Sequence, residues 1–303
     1  MNWSARRASP DRPVLIIVLL ALLWVAAAPA AQNAIGPGEW IGDGVLLVRL
    51  DDESLLEPRG PVAIQALRID PVKNQVGLAL AQDTSPARET VAAIATRRGA
   101  IAAVNAGFFS LTNGAPAGVL KVAGRVLGRS RRGRGAVGFT RRGGATRLLF
   151  DRVSIGPPVT TLRTCLGSPP ADWQRAQDIV GGAGLLMLKG REITEWKDER
   201  ISAGFDTTRH PRTMIGVDRD NQIWLVTVDG RQPSLSLGMN FAELKRLARL
   251  LGLRSALNLD GGGSTTMVLK GGLIANHPSD AEGPRAVSDA IVVLPANSAR
   301  PNR

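Results

Sequence analysis

Three consecutive glycines interrupt two apolar runs in Asn258-Leu259-Asp260-Gly261-Gly262-Gly263-Ser264-Thr265-Thr266-Met267-Val268. Without a Cβ, glycine enters backbone conformations that other residues avoid, so this stretch forces a tight connection rather than a continuing strand or helix. Ala256 to Leu259 and Thr265 to Leu269 read as buried strands on either side of it. The connection carries the Asp260 carboxylate, the amides of Gly261, Gly262 and Gly263, and the Ser264 hydroxyl into one small volume. Convergent amides of this kind form a nest for an anion or a ligand oxygen. The alternative is a hairpin turn in which Asp260 does no more than satisfy its own backbone.

The same plan recurs earlier in the chain. Ala103-Val104-Asn105-Ala106-Gly107-Phe108-Phe109, Arg209-His210-Pro211-Arg212-Thr213-Met214-Ile215-Gly216-Val217-Asp218 and Ile223-Trp224-Leu225-Val226-Thr227-Val228-Asp229-Gly230-Arg231 each join an apolar, β-branched run to a polar or glycine-bearing group. Strands of a sheet deliver functional side chains to its rim in this way. Taken in order, Asn105-Ala106-Gly107-Phe108-Phe109, Pro211-Arg212-Thr213-Met214-Ile215-Gly216, Val228-Asp229-Gly230-Arg231 and Leu259-Asp260-Gly261-Gly262-Gly263-Ser264 resemble the phosphodiester glycosidase family, over roughly residues 70 to 295.

That resemblance implies a hydrolase acting on a glycosyl (sugar 1-) phosphodiester at its anomeric carbon. The phosphomonoester expelled is a good leaving group, so little general acid help is needed. Glycosidases nevertheless use two carboxylates, about 5 Å apart for retention or roughly 6.5 to 9.5 Å for inversion. Asp260 and Asp229, each at the end of an apolar run and followed by glycine, are the candidates, although Val228-Asp229-Gly230-Arg231 also describes a type I′ hairpin turn. Arg212 and Arg231 have the forked geometry to clamp phosphate, with amides from Gly261, Gly262 and Gly263 and the Ser264 hydroxyl. Arg285 matches a late arginine of the family. Asn105 suits sugar hydroxyls or an N-acetyl group, and Phe108 offers a face to a sugar ring, with one of Phe108 and Phe109 expected in the core. His210 and His277 are read as incidental loop histidines. A carbohydrate- or phosphate-binding envelope protein without turnover and a phosphodiesterase cutting the P–O bond are the competing readings.

Arg6, Arg7 and Arg12 precede an apolar run from Val14 to Ala28, which ends in Ala28-Pro29-Ala30. This is the three-part plan of a signal peptide over residues 1–30, or of an uncleaved signal anchor, and it predicts a secreted or envelope protein. A membrane is expected as a partner only through such an anchor. Cys165 is the single cysteine, so no intramolecular disulfide can hold the fold and the core must do so. With no histidine nearby, Cys165 is read as structural rather than as a nucleophile.

Removing Arg6, Arg7, Arg12 and Asp11 with the leader lowers the net charge of +12 by two, to +10. Between Lys121 and Arg147 lie Arg125, Arg129, Arg131, Arg132, Arg134, Arg141 and Arg142 without an acidic residue. Most of these are expected on a solvated basic hairpin. Such charge favours a sugar phosphodiester or an anionic envelope glycan as partner. Nucleic acid is not expected, since no binding motif accompanies the charge and aromatics for stacking are scarce. Two histidines and one cysteine give no zinc site, and no cofactor is called for; Ca²⁺ or Mg²⁺ on scattered aspartates stays open.

Apolar runs at Val45 to Leu50, Val62 to Ile69, Val76 to Ala81, Ala100 to Val104 and Ala290 to Leu294 predict strands. One helix is predicted from a cap at Thr84 or Ser85 through Arg97. A clearer one has Asn240 as N-cap, Glu243 three residues on, and Gly252 at its end. Gly107 to Gly118 and Ser168 to Trp173 read as loops. The class is α+β, with mixed β-sheets and a few packed helices, since strands dominate without regular βαβ alternation. The expected divisions are the leader at 1–30, an N-terminal strand region at 31–69, a phosphodiester glycosidase-like domain at 70–295 and a tail at 296–303.

Overall fold

The computed structural model describes residues 1, 36–156, 161–199, 201–296 and 298. The expected leader, apart from Met1, and most of the tail lie outside the described residues. Three sheets share one interior. The first, of eight strands, runs in the order Glu39–Gly42, Val45–Leu50, Ile64–Ile69, Ile223–Val228, Arg212–Asp218, Leu253–Asn258, Leu185–Leu188, Arg191–Glu192. The second has six strands and is dominated by the long hairpin Ser130–Arg142 and Ala145–Gly156. Leu273–Ile274, Met267–Leu269, Ala102–Asn105, Asp289–Pro295 and Asn74–Leu80 form the third.

The strand pairs described are antiparallel, so the expectation of mixed sheets is corrected. A parallel pair needs a long crossover, usually a helix, and the few helices here cap sheets instead of linking neighbouring strands. The residues expected as an N-terminal strand region at 31–69 supply three strands of the eight-stranded sheet. Ile64–Ile69 pairs along its whole length with Ile223–Val228, near the centre of the largest sheet.

One apolar cluster, including Leu67, Val104, Phe139, Leu225, Leu257 and Ile291, draws on all three sheets. Each sheet's other face is covered by one helix. Phe241–Leu250 lays Leu244 and Leu247 on Trp224 and Val226. Val91–Arg97 lays Ile94 on Val268 and Val292. Pro170–Arg175, in a stretch expected as loop, inserts a fully buried Trp173 beside Ile179. With both faces covered, a strand such as Ile223–Val228 is buried at every residue instead of alternating.

The first helix starts later than its sequence suggested. Thr90, not Thr84 or Ser85, is the N-cap, because residue 89 is held extended by its bridge to Val287. The helix from Phe241 forms as its residues predict. Asn240 Oδ1 accepts the Glu243 amide at 3.0 Å, and Glu243 Oε2 accepts the Asn240 amide at 3.0 Å. Gly252 follows with φ +69, the left-handed turn that ends it. Among the described residues no helix is long and apolar enough to cross a membrane.

Replacing Asn240 with Ala removes the side-chain half of this reciprocal cap. Urea denaturation should show a loss of about 1 kcal/mol in unfolding free energy with an unchanged denaturant slope.

Candidate functional site

Antiparallel order brings the separate motifs to one place. Arg212 opens its strand opposite Val228, the last residue of the neighbouring strand, while Met214 pairs with Asn258 on the other side. The chain ends at 211, 229 and 259 therefore emerge along one rim. Asn105 ends its own strand in the third sheet and meets that rim from the far side.

Asn105 is fully buried, and its side chain is committed to protein groups. Its Nδ2 donates to the Asp260 carbonyl at 2.7 Å, and its Oδ1 accepts the Thr213 hydroxyl at 2.7 Å and the Thr266 amide at 3.2 Å. The expected role as a sugar ligand is corrected: Asn105 is a brace that positions Asp260. The backbone adds to it, since the Asp260 amide donates to Ala106 and the Leu259 amide to Thr213.

The glycine run is also less bare than its sequence implied. The Gly261 amide donates to Asp260 Oδ1 at 2.9 Å, the Gly262 amide to the Pro211 carbonyl at 2.9 Å, and the Ser264 amide to the Gly261 carbonyl at 3.2 Å. Only the Gly263 amide is left without a protein acceptor among the described residues of this run. The glycines are required sterically instead. A Cβ at Gly261 would stand 2.6 Å from the Pro211 carbonyl oxygen, and one at Gly263 would collide with the Asp280 carboxylate and the Arg285 guanidinium. Gly262 has φ +61 and lies against the Arg231 guanidinium.

Asp260, Gly261, Gly262, Gly263, Arg212, Arg231, Arg285, His210 and Phe205 border one cleft of about 270 Å³. Burial raises the Asp260 carboxyl to about 7. The Ser264 hydroxyl, the Gly261 amide and the Arg285 charge pull it back down, and the Asp289 charge raises it. Ser264 sits beside the carboxylate, but its buried hydroxyl meets full hydrogen-bond geometry with no described group; the Gly261 amide makes the formed contact.

The three arginines differ. Arg212 is buried, with Nε on the Met239 carbonyl at 2.8 Å and Nη2 on the Phe205 and Thr208 carbonyls at 2.6 and 2.9 Å. Its guanidinium also lies over the rings of Phe205 and Phe241. Burial brings it down to about 10, with Arg231 lowering it further and Asp206 and Glu243 acting the other way. Where the sequence leads us to expect a phosphate clamp, the structure has a guanidinium bonded to carbonyls, a fixed positive charge behind the cleft. Arg285 is paired with Asp280 at 2.8 to 2.9 Å. Arg231, held at φ +59, has no carboxylate partner among the described residues; its Nη2 is 3.5 Å from His210 Nδ1. His210 was read as incidental, yet it borders the cleft and stacks on Phe205. Burial and the charges of Arg212 and Arg231 lower its pKa, which keeps it neutral near pH 7.

Asp229, the other expected catalytic carboxylate, does not border this cleft. It is fully buried, and its carboxylate accepts from Gln65 Nε2 at 3.3 Å, Asn276 Nδ2 at 2.9 Å and the His277 amide at 2.9 Å. It ties the strand end at 228 to the loop at 276. The carboxylate near Asp260 is instead Asp289, buried, accepting the Gly107 amide at 2.7 Å and the Ser288 hydroxyl, and raised by burial. Its sequence signal was an acid opening an otherwise apolar final strand. Phe108 meets Phe205 edge-on at 6.2 Å, next to the cleft, while Phe109 packs on the cluster around Ile94. Among the described residues no three His, Cys, Asp or Glu side chains gather as a metal site.

Residues 98–294 match the model of the phosphodiester glycosidase family. Mouse N-acetylglucosamine-1-phosphodiester alpha-N-acetylglucosaminidase is 29% identical over 216 residues, which cover 68% of this chain and 40% of the mouse protein. The chain thus spans about two fifths of that relative's length. Among solved structures, a Burkholderia pseudomallei protein described as exported superposes with a TM-score of 0.65 at 22% identity, covering 78% of this chain and 74% of that one. The zebrafish N-acetylglucosamine-1-phosphodiester alpha-N-acetylglucosaminidase catalytic domain, auto-inhibited by pro-peptide, gives 0.62 at 24% identity and 82% of each chain. At these identities the two structures speak for a shared fold.

Because Asp260 has its pKa raised from 3.8 to about 7, its stabilising contribution is whole below pH 4 and is lost as pH rises to 7. Unfolding measured from pH 4 to 8 should show the wild type losing about 2–4 kcal/mol relative to Asp260→Asn across that window, then levelling off.

Proposed function

This chain belongs to the phosphodiester glycosidase family, and from that premise we propose that it is an exported hydrolase cleaving a glycosyl phosphodiester at the anomeric carbon. One observation carries the reading: the desolvated carboxylate of Asp260 shares a small cleft with three guanidinium groups, of which Arg231 has no carboxylate partner among the described residues. A cleft so charged favours an anion. A phosphodiester with its phosphate against Arg231 and the Gly263 amide, and with Arg212 behind them, brings its sugar carbon towards Asp260. The leader read at residues 1–30 supports export.

The chemistry follows from burial. With a pKa near 7, Asp260 is present as acid and carboxylate in comparable amounts at neutral pH, which is where proton transfer is most effective. As carboxylate it can attack the anomeric carbon or take a proton from the attacking water. Asp289 holds the turn at Gly107 in place and opposes ionisation of Asp260 by its own charge. The leaving phosphate needs no strong acid, and guanidinium groups stabilise the charge that gathers on it.

Sugar 1-phosphodiesters, N-acetylglucosamine derivatives among them, should release sugar with the purified protein, and Asp260→Asn should lower kcat/KM by about 10³-fold or more. Reaction in ¹⁸O water places the label in the sugar if carbon is attacked; label in the phosphate, or no release by the wild type over the whole panel, overturns the reading. Arg231→Ala should weaken kcat/KM by roughly tenfold or more, as loss of a charge-assisted contact does.

A further inference from the structure

We propose that Arg134 and Phe108 form a second anion subsite beside the Asp260 cleft, so that the preferred substrate is a chain of sugar phosphates bearing more than one negative charge. The proposal rests on the reading of that cleft as a glycosyl phosphodiester site.

Arg134 stands apart from the arginines around it. Arg129, Arg131, Arg132, Arg141 and Arg142 are exposed, as a solvated basic hairpin would have them, but Arg134 is partly buried. The register of its strand against Ala145–Gly156 shifts between Ser130 and Arg134, and the chain resumes regular pairing at Arg134, opposite Val153. Its guanidinium lies over the Phe108 ring at 5.5 Å. Its Nε is buried without a hydrogen-bond partner, and Arg134 has no ion pair among the described residues. The nearby Glu199 does not serve it. That carboxylate already takes Arg152 Nε at 3.0 Å and the amides of Gly135 at 3.0 Å and Gly184 at 2.9 Å. Burial accordingly lowers the pKa of Arg134, with Glu199 acting against it.

A guanidinium has five N–H donors, and a ring face compensates only part of what it loses on leaving water. A merely structural arginine is normally satisfied by carbonyls, as Arg212 is. Arg134 instead has a buried Nε without a hydrogen-bond partner, a ring beneath its guanidinium and no ion pair among the described residues.

Its position supplies the anion's identity. Phe108 meets Phe205 edge-on at 6.2 Å with 63° between ring planes, and Phe205 borders the cleft with the Arg212 guanidinium 4.6 Å from its centroid. Two aromatic rings therefore separate a cation at the cleft from a cation outside it. A ligand matched to that row has charged groups at both ends and apolar sugar faces between them. A sugar chain joined by phosphodiesters has this pattern, whereas an isolated phosphodiester meets only the inner cation. Two linked anions bound together gain affinity beyond either alone.

The test uses the full chain carrying Asp260→Asn, so that ligands are bound and not turned over. Titration calorimetry at low salt compares a single-phosphate ligand, the methyl phosphodiester of N-acetylglucosamine 1-phosphate, with one in which a second phosphodiester lies one sugar further on. The second phosphate should tighten binding by about tenfold, and the gain should shrink in 0.5 M salt. Adding Arg134→Gln should abolish the gain while the single-phosphate affinity stays within about twofold. Arg134→Lys, which keeps charge but not the fork, should retain part of it. The gain is first read with Arg134 intact, so it does not depend on a variant's folding. A single-phosphate ligand that binds without any gain from the second phosphate overturns this subsite and leaves the cleft reading standing. An equal loss for both ligands in Arg134→Gln makes Arg134 structural and overturns it too, and failure of both ligands to bind overturns the cleft reading along with it.

Discussion

The Asn105 amide is the joint on which the site depends. It belongs by chain to the five-stranded sheet, donates to the carbonyl of Asp260 and accepts from Thr213 of the eight-stranded sheet and from Thr266 beyond the glycine turn. Buried amides of this kind are strongly directional, because any misfit leaves polar atoms unpaired where water cannot reach them. One side chain thus fixes the spacing of two sheets and the position of the carboxylate between them. The apolar cluster below the joint supplies the stability that lets so specific a polar contact form.

Charge in the cleft is arranged by burial as much as by sequence. Asp260 is desolvated, which holds its proton near neutrality, and Arg212 is in direct contact with carbonyls, while the charges of Asp206 and Glu243 favour its cation from further off. Neutral groups in direct contact leave the field of this buried cation only partly offset, by the charges of Asp206 and Glu243. That field, with Arg231 beside it, acts on whatever occupies the cleft. Asp229 shows the opposite solution: a buried carboxylate surrounded by donors, with the His277 ring 3.3 Å from its Oδ2, ties a strand end to a loop.

Much of this was legible in the residues. The cap at Asn240 and the stop at Gly252 depend on contacts within a few residues, so local sequence states them fully. The same holds for most strands, whose apolar runs must be buried somewhere. The late start of the helix at Thr90 was not legible, because it depends on a bridge to Val287 almost two hundred positions away. Sheet direction escaped for a similar reason: apolar runs say that strands exist, not which neighbours they choose. Arg134 was indistinguishable from six other basic residues in its run until Phe108 was placed beneath it.

By itself the sequence determined the family, a strand-rich chain, the glycine turn, the placing of Asp260 and Arg231 just past apolar strands, and Arg285 as a late match to the family. These follow from residue type and order, which need no knowledge of distant partners. Only the tertiary structure decided which polar groups face the cleft and which are used up inside the protein. It turned Asn105 and Asp229 inward, set Arg212 behind the cleft, committed most of the glycine amides, brought His210 to the cleft and placed the buried Asp289 near enough to act on Asp260 by its charge. The reason is that a side chain's role depends on which donors and acceptors are left unpaired around it, and those come from segments that meet only when the sheets close.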